Sequence, residues 1–97
     1  MTINIPKFGS VLTSRPAGKE AYAAFLPILA GLDENESILV DFCGVSTFSP
    51  SWGDEFLTQL HTRFGKRLYI RKTINPSALE TIDTLEETNE FKFQFEN

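Results

Sequence analysis

The chain of 97 residues has one cysteine, one histidine, one tryptophan and one methionine. With Cys43 alone, no internal disulfide can form, so a reducing, cytoplasmic compartment is the expected setting. With His61 as the only imidazole and no second thiol, the residue types that build zinc sites are missing, and no metal is expected. Apolar runs stop well short of the ~18 residues of a membrane span. Residues 1–5 are too short and too polar to be the apolar core of a signal peptide. Positive charge is not in excess: the net charge is −4, which gives no general reason to expect nucleic-acid binding. There is no Gly-rich loop of the phosphate-binding or dinucleotide type, so no cofactor is expected. Internal repeats and low-complexity stretches are also lacking.

What is present is ordinary in proportion and uneven in place. Apolar residues make up 41% and charged residues 23%, as in a soluble globular protein. The length suffices for one core, hence one domain over residues 1–97. Nine phenylalanines imply a core built on large rings. Five basic residues fall between Arg63 and Lys72, and the acids Glu80, Asp83, Glu86, Glu87 and Glu90 follow. The plain reading is two solvated faces that complement each other.

Periodicity gives the order of elements. Residues 2–5 alternate and read as a short strand, and Val11-Leu12 as a second, the two forming an N-terminal hairpin. Ser14 to Gly18 reads as a loop. A helix over Lys19 to Leu32 places Ala21, Tyr22, Phe25, Ile28, Leu29 and Leu32 on one stripe, with Pro27 opposite it. Ile38 to Phe42 is short and nearly all apolar, as expected of a strand buried on both faces. Pro50 to Phe64 is a helix with Trp52, Phe56, Leu57, Leu60 and Phe64 as its apolar stripe, facing the sheet. Gly53 lies within it, where a side chain would hold the helix off the sheet. Gly65 stops the helix. Leu68 to Arg71 is a strand, and Asn75-Pro76 opens a last helix as cap and first position. Phe91 to Phe95 alternates strictly and reads as a closing strand. Strands alternating with helices imply an α/β fold, a mixed, mostly parallel sheet with three main helices.

The stretch Ser37 to Leu60 concentrates the chemistry. A buried strand ends in Asp41, and a helix follows whose start carries Ser49, Ser51, Asp54 and Glu55. Ser49 suits the N-cap, worth ~1 kcal/mol, and the acids favour the positive end of the helix. Asp41 needs a partner, because an unpaired buried carboxylate costs several kcal/mol. Arg15 and Ser49 are the partners expected for it. Ser51 and His61 are ten residues apart on one helix, about 15 Å along its axis, so a triad with Asp54 cannot form. No catalytic constellation emerges.

Four segments together resemble the STAS superfamily, and more closely its STAS-like branch, small bacterial and archaeal domains of largely undefined function. They are Leu12-Thr13-Ser14-Arg15 with Gly18, Ile38 to Phe42 with Gly44-Val45, Phe48 to Phe56, and Asn75-Pro76-Ser77 with Asn89-Glu90-Phe91. STAS domains include anti-anti-sigma factors and the cytoplasmic tails of sulfate transporters. In anti-anti-sigma factors the helix start reads Asp-Ser-Ser/Thr-Gly, and a partner kinase of the GHKL ATPase type phosphorylates its first serine. The matching residues here are Ser49, Pro50, Ser51 and Trp52. Pro50 has no hydroxyl, so the phospho-switch does not carry over at that position.

The resemblance implies a regulatory, non-catalytic protein-interaction domain that binds a GHKL-type ATPase or kinase, or another regulatory protein, through Ser49, Ser51, Asp54 and Glu55, with Ser51 as the candidate phosphoacceptor. A second reading is a nucleotide- or anion-binding domain, or an enzyme, that uses Arg15, Asp41 and Ser51. A third is a self-associating accessory protein, a homodimer paired through its Phe-rich terminal strand.

Overall fold

A computed structural model describes residues 1–96. In chain order the elements are β1 (Thr2–Asn4), β2 (Val11–Leu12), α1 (Arg15–Ala30), β3 (Ile38–Asp41), β4 (Thr47–Phe48), α2 (Pro50–Phe64), β5 (Leu68–Arg71), α3 (Pro76–Asn89) and β6 (Gln94–Glu96). Short 3-10 turns at Ile5–Phe8 and Gly65–Arg67 join β1 to β2 and α2 to β5. The main sheet runs β1-β3-β5-β6, and each neighbouring pair is parallel. The expected α/β fold with three main helices is therefore the fold found.

The strand order has a consequence for the layers. Each crossover moves the chain one way across the sheet, and right-handed crossovers in one direction put every helix on the same face. Burial follows this rule. Ile3, Ile38, Val40, Leu68 and Ile70 point under the helices and are buried. Their neighbours Thr2, Asn4 and Arg71 are exposed, and Leu39, Asp41 and Tyr69 are half-buried. The expectation that Ile38 to Phe42 is covered on both faces is corrected: among the described residues, only one face has a layer over it. Nor does the strand order reverse anywhere, so the sheet lacks the switch-point crevice where open α/β sheets usually hold ligands.

The N-terminal hairpin does not form. The 3-10 turn after β1 carries the chain off the sheet, and β2 pairs in parallel with β4, Leu12 opposite Phe48. Helix α1 begins four residues earlier than the periodicity indicates. Ser14 Oγ accepts from Ala17 N at 3.2 Å, and Pro16 sits in the first turn, where its missing N–H costs nothing. Ser14 to Gly18 is thus a helix start rather than a loop. Pro27 lies exposed inside α1, away from buried Phe25 and Leu29, although Ile28 is 47% exposed and leaves the expected stripe.

The closing strand begins later than the alternation suggests. Glu90 adopts a left-handed conformation that ends α3, and Phe91 and Phe93 turn in to pack on His61, at 3.9 and 5.3 Å between ring centroids. Pairing with β5 starts only at Gln94. The basic and acidic runs do not face each other as ion pairs among the described residues. Arg67 donates instead to the backbone oxygens of Asp33 and Glu36, closing the loop between α1 and β3.

Candidate functional site

Two glycines decide how the helix starts meet. A Cβ at Gly18 would lie 2.6 Å from the carbonyl oxygen of Trp52, so α1 passes against the α2 backbone where only glycine fits. A Cβ at Gly53 would meet Phe48, Leu85 and Thr81 at 3.0–3.1 Å. Gly53 therefore seats α2 against β4 and α3, rather than against the sheet as the sequence suggests. Trp52 is 2% exposed and stacks on Phe56 at 5.0 Å, with Phe8 and Phe48 tilted around it. The aromatic stripe of α2 is thus buried, and its first turns are fixed from both sides.

Ser49 caps this helix. Its Oγ accepts from Trp52 N at 3.3 Å and donates to the Thr13 carbonyl at 2.8 Å, tying the α2 start to the residue that follows β2. Pro50 occupies the first helical position. Ser51 comes next, half-buried and taking no part in the cap. Ser51, Asp54 and Glu55 lie at three- and four-residue spacing and so share one helix face.

Asp54 and Glu55 are held by a residue from α1. Arg15 Nη1 donates to Asp54 Oδ2 at 3.0 Å and to Glu55 Oε2 at 2.7 Å. The hydrogen bond to Asp54, followed by that to Glu55, raises the Arg15 pKa above its already high ordinary value, so the guanidinium stays charged throughout the folded range. All three side chains keep partial solvent exposure.

Asp41 belongs to a different group. Its side chain is 14% exposed, accepts from Cys43 N at 2.9 Å, and takes a charged hydrogen bond from Arg71 Nη1 at 2.9 Å. Its partner is Arg71, not the expected Arg15 or Ser49. Arg71 also reaches Glu96 at 3.7 Å, making an acid–base–acid row across β3, β5 and β6. The sequence did hold a signal for this pair. Ile-Leu-Val-Asp and Leu-Tyr-Ile-Arg are four-residue strands ending in opposite charges, and parallel pairing in that register sets the two charges side by side.

Beyond this row lies a cleft of about 720 Å3 between the loops that follow β3 and β5, lined by Cys43, Lys72, Ile74 and Asn75 among others. The start of α3 borders it but has little to offer an anion. Asn75 Oδ1 already accepts from Ser77 N and Ala78 N, and Pro76 has no N–H.

The second reading of the sequence put Arg15, Asp41 and Ser51 in one site. In the structure Arg15 and Ser51 share the α2 start, while Asp41 is bound to Arg71. The sequence model of a family described as a STAS-like domain of unknown function (DUF4325) matches residues 25–83, more than half of the chain. The chain belongs to that family. The matched segment of this STAS-like domain contains Asp41, Ser49, Ser51, Asp54 and Glu55, whereas Arg15 precedes it. No curated protein and no solved structure matches the chain. Among the described residues, no helix of the STAS-like domain is long and apolar enough to cross a membrane.

Proposed function

We propose that this STAS-like domain is a non-catalytic regulatory module that docks a partner protein at the start of α2, the partner being an ATPase or kinase of the GHKL type. The observation that carries the reading is the Arg15 bridge to Asp54 and Glu55 beside Ser51. It orders a charged, partly exposed patch on a helix whose apolar stripe is buried. Docking on such a patch avoids the cost of ordering long side chains on binding. Ser49 serves this surface by fixing the helix start through its two hydrogen bonds.

Control passes from the position of Pro50 to Ser51. A phosphate on Ser51 would lie one helical turn from Asp54 and Glu55, which repel it, while the arginine they hold would attract it. It would compete for Arg15 and disturb the docking surface more than the fold, so phosphorylation weakens binding. The nucleotide-binding or enzymatic reading is disfavoured because its three residues are divided between two groups.

The test is affinity capture of the partner from the source organism, followed by titration with wild type, Ser51→Ala, Ser51→Asp and the double change Asp54→Ala, Glu55→Ala. The expected result is a GHKL-type partner whose affinity is kept by Ser51→Ala and lowered at least about tenfold by the other two variants. Unchanged affinity in all variants would place the docking surface elsewhere.

A further inference from the structure

All-parallel sheets are almost always covered on both faces. Here, among the described residues, the face opposite the helices carries no layer, and at its centre Leu39 and Tyr69 stand side by side, half-buried. One step along the strands, Asp41 and Arg71 form the ion pair described above. The face thus presents a two-residue apolar centre, flanked by Thr2 and Gln94, beside the charged row of Asp41, Arg71 and Glu96.

We propose that this open face binds a second copy of the same chain, sheet against sheet. The register itself argues for that occupant. A two-fold axis parallel to the strands, passing between β3 and β5, lays Leu39 over Tyr69 of the second copy. The same axis lays Asp41 over Arg71 of the second copy, and Arg71 over its Asp41. Both rows are therefore self-complementary in one operation, as an isologous interface requires. A two-fold axis across the strands sets apolar over apolar only at the level of Leu39 and Tyr69, and it then lays Asp41 over Ser37 of the second copy, where no cation faces the carboxylate. Facing sheets lie about 10 Å apart at about 30°, and residues next to the axis keep their opposition under that rotation.

The interface is small. Four short strands about 4.8 Å apart present a few hundred Å2 per copy. A standard interface buries about 800 Å2 per partner. The dimer is accordingly weak and in rapid exchange, and it loosens with salt because its charges lie near solvent. It leaves the helical layer free, including Ser51 and Asp54, so it is independent of the docking reading above. It also differs from pairing through the edge of β6, which would use the backbone of Gln94 to Glu96 and leave Leu39 and Tyr69 uncovered.

The charge pattern supplies the experiment. Self-association of the full chain is followed by sedimentation and by amide chemical shifts from micromolar to millimolar protein. Wild type should associate, with concentration-dependent shifts centred on Leu39 and Tyr69. Arg71→Asp places two carboxylates opposite each other twice and should weaken association at least about tenfold. The exchange Asp41→Arg with Arg71→Asp restores the pair within each chain and between copies. It should therefore associate with itself yet fail to mix with wild type, where like charges meet. Matching dispersed spectra of the exchanged protein and wild type show that both are folded. A wild type that stays monomeric to millimolar concentration overturns the proposal. So do shifts confined to the β6 edge or the α2 start, or an exchanged protein that mixes freely with wild type.

Discussion

The carbonyl oxygen of Trp52 occupies the space that a side chain at Gly18 would need. The two helix starts are therefore in backbone contact, and the Arg15 bridge to Asp54 and Glu55 depends on that closeness. Alanine normally favours a helix interior over glycine by about 0.5–1 kcal/mol. Here Gly18→Ala forces two backbones apart, and the net effect should be a loss of about 1–3 kcal/mol. Urea denaturation measures it. A gain in stability would refute the close contact.

Trp52 is the only tryptophan and lies among Phe8, Phe48 and Phe56. Its truncation to alanine should cost about 3–5 kcal/mol through lost burial and the cavity left behind. The native fluorescence should be that of an indole shielded from water and should shift to the red on unfolding. Emission already red-shifted in the native protein would contradict the buried position.

Ser49 and Ser51 are two residues apart and should behave differently. Ser49→Ala removes a cap and a bond to the Thr13 carbonyl, for a loss of about 1 kcal/mol, up to about 2. Ser51→Ala should stay within about 0.5 kcal/mol of wild type, as surface changes away from caps and cores usually do. Thermal melts of the two variants decide this. Equal losses would mean that Ser51 shares the capping role.

The Arg71 side of the Asp41–Arg71 pair is half open to water, so a double-mutant cycle to alanine should return a coupling of about 1 kcal/mol. Asp41→Ala alone should cost more, about 1–2 kcal/mol, because the Cys43 N–H also loses its acceptor. The corresponding cycle between Asp41 and Arg15 should show no coupling. A measurable coupling there would return Asp41 to the Arg15 site.

Much of the architecture was legible in the sequence because it depends on local periodicity. The stripe of Trp52, Phe56, Leu57, Leu60 and Phe64, the Asn75-Pro76 helix start, and the short apolar strands at 38 and 68 each carry their own signal, and the cap at Ser49 is visible from residue type and position. Arg15 was less legible. Its helix start at Ser14 was masked by Gly18, whose presence reflects contact with Trp52 and not a loop. The partner of Asp41 was missed because residues thirty positions apart become neighbours only through the register of β3 with β5.

The sequence by itself determined that the chain would alternate strands and helices around a Phe-rich core, with four of its polar candidates, Ser49, Ser51, Asp54 and Glu55, at the start of α2. Those features follow from side-chain period and capping, which act within a few residues. Only the tertiary structure decided that all three helices share one face of the sheet, that Arg15 holds Asp54 and Glu55, and that Asp41 belongs with Arg71. Strand order, crossover hand and backbone approach set these relationships, and they join residues whose separation along the chain carries no record of their distance in space.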